Sequence, residues 1–348
     1  MITLGIETSC DETSVAVIKD GRKILSNVVY SSLKEHAPFG GVIPEIASRS
    51  HLETLPICLD RALKAAKIKI EQVDLIAVTQ GPGLMGSLLV GLSAAKSLAL
   101  ALNKPLVGVD HVIAHAYAGF LVDPKLKFPI IGLTVSGGHT LILLIKSPSQ
   151  IQVLGRTIDD AAGEAFDKVA KMLELGYPGG PEVDRMAAGR DSAKIFFKRP
   201  ILSKDSYDFS FSGIKTAVHY KVAELRRKKK LSPDLKGLIC SGFQESVCDV
   251  LVEKTLRAAK SHQIQCVVVG GGVSANRRLR QKFSAAGGSA YGAKGIRVIF
   301  PSLKLCQDNA AMIAALGTAL YKEGRRDTLE LSSYSNFTDG GVYVDSGK

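Results

Sequence analysis

The sequence predicts an α/β protein with a duplicated core, two related lobes with a nucleotide cleft between them. Three glycine-bearing or small-residue turns carry that prediction. LGIETSCDETSVAVI (Leu4–Ile18) is an apolar, β-rich run that breaks into small and hydroxylated residues and then resumes. IGLTVSGGHT (Ile131–Thr140) echoes it, and CVVVGGGVSANRRLR (Cys266–Arg280) places a third turn after a buried-strand pattern. Glycines let the backbone approach a phosphate closely and leave N–H groups free to donate to it. A chain of 348 residues suits two domains of ordinary size. The expected division is 1–125 for the first lobe, completed by a C-terminal helix and tail at 306–348, and 126–305 for the second.

The elements follow in order. Met1–Ile18 reads as a hairpin turning at Cys10–Glu12, and Gly21–Tyr30 as a third strand. Ile46, Leu52, Leu55, Leu59 and Leu63 recur at three- or four-residue spacing, which predicts a helix over Pro44–Lys67. Val73–Thr79 is a short continuous apolar run, the pattern of a buried strand. It stops at Gly81–Gly83, and a small-residue helix follows to Leu102. Pro105–Val109 is the next strand, and Asp110 is an N-cap for a helix behind it. Asp123–Phe128 reads as a linker, Pro129–Ile145 as a second hairpin, and Ala161–Leu173 and Gly237–Ser261 as helices. Strands are expected at Cys266–Val269 and Ile296–Phe300, then an Ala-rich helix at Asn309–Tyr321 and a polar tail.

Composition narrows the function. Hydrophobic residues make up 46% and charged residues 22%, so both halves can build a core and no compositional sign of disorder appears. The formal net charge of +12 favours a polyanionic partner such as RNA. It clusters in RRKKK (Arg226–Lys230), in RRLR (Arg277–Arg280) and at Lys194, Lys198 and Arg199; the first cluster reads equally well as a solvated loop. Six cysteines without a CxxC pair argue against a thiolate zinc site or a redox dithiol. The N-terminus has no basic n-region, and the apolar stretch Ser87–Leu102, broken by Lys96, reads as too short to span a bilayer. The expected location is cytoplasmic.

Several residue groups offer chemistry. His111 and His115 are spaced i, i+4, which puts both imidazoles on one helical face and makes either half of a metal site or a pair of partly buried, hydrogen-bonded histidines. A third ligand must come from elsewhere; Asp308 in CQDNAAM leads, with a helix N-cap as its structural alternative, and His139 follows. The HxxxH pattern lacks the glutamate of HExxH proteases. Ser136–Gly138 forms a turn between strands, and Gly270–Gly272, with Ser274 and Asn276 behind it, suits a nucleotide pressed against a helix start. Neither GxGxxG nor a P-loop is present. Asp159, Asp160, Glu164 and Asp167 crowd one segment, the last three on one expected helical face. Their mutual repulsion suggests a cation, a ribose hydroxyl or a basic partner, against an acidic first helical turn. YPGGP (Tyr177–Pro181) reads as a rigid turn. Asp11 and Glu12 either orient a water, metal or nucleophile, or simply form a turn.

Taken together, GIETSCDETSVAV, GGVIPEIASRSH, GPGLMGSLLVG, HVIAH, SGGHT, DDAAGEAFDK, YPGGP, FSFSGIKTA and GGGVSANRRLR resemble the TsaD family, the transferases that make N6-threonylcarbamoyladenosine in tRNA. The resemblance runs from Met1 to about Leu320 in the family's order. It implies the actin-like ATPase (ASKHA) fold and one divalent metal, iron or zinc, on His111, His115 and Asp308. It places threonylcarbamoyl-adenylate, or an ATP-like nucleotide, along Thr134, Val135, Ser136, Gly137, Gly138, Asp167, Gly180, Asp184 and Asn276. Asp11 or Glu12 becomes the candidate catalytic base. The implied partners are tRNA, a non-catalytic TsaB-like paralogue of the same fold and a small TsaE-like P-loop ATPase, with a homodimer as another assembly and no membrane. One departure stands out: many bacterial members carry Glu-Gly inside the HxxxH motif, where this chain has Ile113-Ala114. Two rivals share part of the pattern, a small-molecule kinase of the same fold and an HxxxH metallopeptidase.

Overall fold

The computed structural model describes residues 1–199, 205–289 and 295–337; the end of the expected polar tail lies outside these residues. Among the described residues, ten strands form two five-stranded sheets. The first contains β1 (Ile2–Glu7), β2 (Glu12–Lys19), β3 (Lys23–Ser31), β4 (Leu75–Gly81) and β5 (Leu106–Asp110) in the order β3-β2-β1-β4-β5. The second contains β6 (Ile130–Val135), β7 (Thr140–Ile145), β8 (Ile151–Arg156), β9 (Cys266–Gly270) and β10 (Arg297–Ile299) in the order β10-β9-β6-β7-β8. Each sheet puts its earliest strand at the centre, a meander on one side and two later strands on the other. β1 pairs with β4 and β4 with β5 in parallel, as β6 does with β9 and β9 with β10. The same chain path used twice is the duplication that the repeated turns signal in the sequence.

Contacts divide the chain into two units. One comprises Met1–Phe128, Ile145–Gln152 and the chain from Pro301 on; the other comprises Pro129–Leu144 and Val153–Phe300. In the first unit, Leu4 and Ile6 pack with Leu55, Cys58, Ala62, Leu92 and Ala95 from the helices Pro44–Ala66 and Met85–Leu102. Side chains alternate faces along a strand, so Gly5 between them faces the helix Ala310–Lys322. A Cβ on Gly5 would lie 2.3 Å from the Ala310 carbonyl, and one on Gly317 2.4 Å from Ala77 Cβ. The Ala-rich composition of this helix therefore reflects close approach of helix to sheet.

The helix Met85–Leu102 has 18 residues and a mean hydropathy of 1.6, long and apolar enough by composition to cross a membrane, which corrects the expectation that this stretch is too short. Its Leu88, Leu92, Ala95 and Ala99 are buried in this unit.

In the second unit, Leu133, Val135 and Ile142 of the sheet pack in one core with Phe166, Phe243, Val247, Leu251 and Phe283. The helix Pro233–Ser261 begins four residues before the expected Gly237. Ser232 caps it by accepting from Leu235 N, with Pro233 at the first position, so what reads as a loop before Gly237 is the helix start. β8 is an element the sequence reading lacks, and YPGGP is not only a turn, because its glycines open the helix Gly179–Ala187.

Candidate metal centre and nucleotide turn

The fully buried β5 delivers Asp110, whose carboxylate accepts from Ile113 N (2.9 Å) and caps the helix His111–Tyr117. That helix sets His111 and His115 edge to face, ring centroids 4.6 Å apart. Asp308, just before the helix Ala310–Lys322, brings Oδ1 to 3.1 Å from His115 Nε2 and 3.5 Å from His111 Nε2. The N-cap of that helix is Asn309, accepting from Met312 N at 3.2 Å, so Asp308 is not spent on capping. One donor atom from each of His111, His115 and Asp308 lies within 4.8 Å of the others, a group able to hold a metal ion. Two donors each about 2.1 Å from one ion in tetrahedral geometry are separated by about 3.4 Å, which the two histidine–Asp308 spacings match. His139 lies outside this cluster.

Behind the ligands lies a residue the sequence reading does not assign. His111 Nδ1 donates to Glu7 Oε2 (2.9 Å), and Glu7 also accepts from Ser9 N (2.6 Å) and Thr79 Oγ1 (2.6 Å). A carboxylate on the far nitrogen of a ligating histidine fixes its tautomer and ring orientation. The signal for Glu7 was available: a charge closing an apolar strand and fully buried must be paired. Burial alone depresses the His111 pKa, but Asp308 and then Glu7 outweigh it and hold the value near 9. Burial dominates at His115 and lowers its pKa. Glu7 is the converse case: burial raises its pKa, and the His111 charge brings it below the ordinary value. His115 Nδ1 is buried with no hydrogen-bond partner among the described residues. Two imidazoles and a carboxylate, one imidazole braced by Glu7, fit a divalent cation.

Asp11 and Glu12 lie at the β1–β2 turn. The Asp11 carbonyl accepts from Ser32 N (3.0 Å) and Oγ (2.8 Å), and Glu12 Oε1 from Ser31 Oγ (3.3 Å). Burial pushes the Glu12 carboxyl well up, and the Asp308 and Asp11 charges add to it. Burial and the same two acids also raise the Cys10 thiol.

The residues that the resemblance assigns to the adenylate all fall in the second unit, joined in a chain of contacts. Thr134 pairs with Gly270. Ser136 N bonds the His139 carbonyl (2.8 Å), and its own carbonyl accepts from Gly163 N (3.1 Å) at the start of the helix Ala162–Met172. From that helix Asp167 Oδ1 accepts from Gly179 N (2.7 Å), beside Gly180. Asp184, on the helix Gly179–Ala187, pairs with Arg277 (2.7 Å), the neighbour of Asn276. Asn276 caps the next helix by accepting from Leu279 N (3.0 Å) and donates to Gln244 (2.8 Å), a buried residue the sequence reading does not assign.

The glycines here divide into two kinds. Gly271 has φ +90, and a Cβ there would lie 2.4 Å from the Val135 carbonyl, so packing and backbone both demand it. A Cβ on Gly137, Gly138, Gly180 or Gly272 would meet nothing within 4 Å. Packing gives no reason for glycine at those four positions.

Two expectations are corrected. Asp160 precedes the helix rather than sharing its face, and the acidic segment is neutralised internally. Lys168 pairs with Asp160 and Glu164 (both 2.7 Å), Lys215 also pairs with Asp160, and Asp159 accepts from Ser210 Oγ and Phe211 N. The arginines of RRLR are likewise engaged within the unit. Arg278 pairs with Glu245 (2.6 Å), and Arg280 donates to the Ser274 carbonyl (2.7 Å) and lies over the Phe300 ring.

A family model described as TsaD, tRNA N6-adenosine threonylcarbamoyltransferase, matches residues 23–315. A relative of that name from Thermosipho africanus is 52% identical over 336 residues, covering 97% of this chain and 99% of the relative. One from Geobacter sulfurreducens is 50% identical over 339 residues, covering 97% of each. Among solved structures, full-length HypF in a phosphate- and nucleotide-bound form superposes with a TM-score of 0.60 at 15% identity, over 92% of this chain and 46% of that one. The likeness to HypF concerns fold alone, and with the two repeated sheets it gives the actin-like ATPase fold. By the family model and by identity over nearly its whole length, the chain belongs to the TsaD family of tRNA N6-adenosine threonylcarbamoyltransferases.

Proposed function

We propose that this protein transfers the threonylcarbamoyl group from threonylcarbamoyl-adenylate to N6 of adenosine 37 in tRNAs reading ANN codons and releases AMP. The observation that carries this reading is 52% identity to a relative bearing that activity's name, over 97% of the chain. The adenylate is a mixed anhydride and already activated, so the protein's task is to hold the carbamoyl carbon beside the amine. The N6 nitrogen forms a bond to that carbon, the carbon–oxygen bond to phosphate breaks, AMP leaves with the electron pair, and N6 gives up a proton. Thr134–Gly138, Asp167, Gly180, Asp184 and Asn276 bind the adenylate, and an ATP-like nucleotide fits the same backbone. Asp11 or Glu12 takes the proton. His111, His115 and Asp308 would hold a divalent metal, iron by family resemblance, which when bound would supply positive charge to substrate oxygens.

The structural lobes are read as 1–125 with 306–348, and 126–305. Partners are tRNA, a TsaB-like paralogue and a TsaE-like ATPase, or a second copy of the chain, in the cytoplasm. Purified threonylcarbamoyl-adenylate, the partners and unmodified tRNA isolate the step. Mass spectrometry of the digested tRNA should show the modified nucleoside. Phosphorylation of a small molecule from ATP, with no modified nucleoside, overturns the reading in favour of a kinase.

A further inference from the structure

The chain after the helix Ala310–Lys322 returns to the first sheet instead of trailing away. Asp327 bridges to Leu106 on the edge strand β5: its N–H bonds the Leu106 carbonyl (2.9 Å), and its carboxylate accepts from Gly108 N (2.8 Å). The segment then crosses the end of β4. Gln80 Nε2 donates to the Ser332 carbonyl (2.8 Å), Tyr334 N to the Gln80 carbonyl (3.3 Å), and Gly83 N to the Ser335 carbonyl (3.2 Å). Two glycines make room for it. A Cβ on Gly81 would lie 2.3 Å from the Tyr334 carbonyl and 2.7 Å from its ring, and one on Gly108 2.9 Å from Leu331. GPG therefore ends β4 where a strap of chain lies across it.

The strap ends on the metal helix. Tyr334 Oη donates to Asp110 Oδ2 at 2.7 Å, while Asp110 Oδ1 accepts from Ile113 N. Asp110 is 5% exposed, so neither oxygen has free access to water, and both are held by donors of fixed position. His111 is the next residue. A buried N-cap carboxylate clamped from both sides fixes the first turn of a helix of only 7 residues, and with it the aim of His111 and His115 towards Asp308.

We infer that Tyr334 is a positioning residue for the His111–His115–Asp308 centre, acting through Asp110, and that the strap 327–335 is the element that presents it. This rests on the metal reading of that cluster. A structural strap alone would change only the stability of the protein; a positioning residue also changes the affinity of the folded chain for metal.

The test uses full-length protein stripped with a chelator and titrated with Zn2+ alone. Tyr334→Phe removes one hydroxyl and leaves the ring packed on Gly81. Zn2+ should bind the variant about 10–100-fold more weakly, measured at a temperature where both metal-free chains are fully folded. Asp110→Asn, which keeps an oxygen for the cap, should weaken binding in the same direction and serves if Tyr334→Phe does not fold. An unchanged Kd in both variants, with or without a lower melting temperature, overturns the inference while leaving the metal site standing. If the unaltered chain binds no Zn2+, or the metal-ligand variant His115→Ala binds it as well as the unaltered chain, the metal reading falls and the inference falls with it.

Discussion

At the scale of single residues, what sequence reveals depends on where a residue's partner lies. His111 and His115 are four residues apart, so a helix alone brings them together, and spacing makes them visible. Asp308 is visible only as a carboxylate at a helix start, where ligand and N-cap read alike, and the structure separates the two because Asn309 caps that helix. Glu7, a charge closing an apolar run, signals locally that it needs a partner but not that the partner lies 104 residues away, and Gln244, 32 residues from Asn276, leaves no local signal. Replacing His111, His115 or Asp308 with alanine should lower bound metal in each case, measured by elemental analysis, with circular dichroism close to that of the unaltered chain. Electrostatics away from the site give a second expectation. Burial raises the Glu245 carboxyl, but hydrogen bonds from Arg278 and Lys282 bring it down to about 2. A folded-state value below the ordinary 4.5 means stabilisation that is complete above pH 4.5 and lost as the pH falls towards 2. Glu245→Gln should therefore lose less stability than the unaltered chain between pH 5 and 3, by up to about 2 kcal/mol in urea unfolding.

At the scale of elements, long periodic segments and apolar runs were legible, and so were the hairpins. β8 and the helix Gly179–Ala187 were not. β8, IQVLGR, is half-buried and carries no continuous apolar run, and GGP reads as a turn although proline and glycine are tolerated in a first helical turn. Glycines show the same limit, because sequence does not separate those that packing requires from those that face open space. Gly271→Ala forces a side chain into a left-handed backbone against the Val135 carbonyl and should cost about 2 kcal/mol or more, read by chemical denaturation. Gly138→Ala adds only a Cβ, which meets no neighbour within 4 Å. It should leave stability near that of the unaltered chain and weaken binding of a non-hydrolysable adenylate analogue, read by calorimetry. Equal losses of stability in the two variants would contradict the division.

At the scale of the whole molecule, the duplication was legible because both halves open on the same apolar–small–apolar pattern, and both halves fold on the same strand path. The charge was less informative. The excess of +12 is real, but Arg277 and Arg278 are in ion pairs and Arg280 holds the Ser274 carbonyl. Reversing charge at RRLR would therefore disturb the turn around Ser274 along with any RNA contact, which makes it a poor probe of tRNA binding. The account stands most directly on the fate of the activated group. Threonylcarbamoyl-adenylate supplied at limiting amount to the assembled system, with unmodified tRNA in excess, allows released AMP and modified adenosine to be counted together. One AMP per N6-threonylcarbamoyladenosine is the predicted result; AMP released in excess, with tRNA left unmodified, would make the protein a hydrolase of the adenylate and contradict the account.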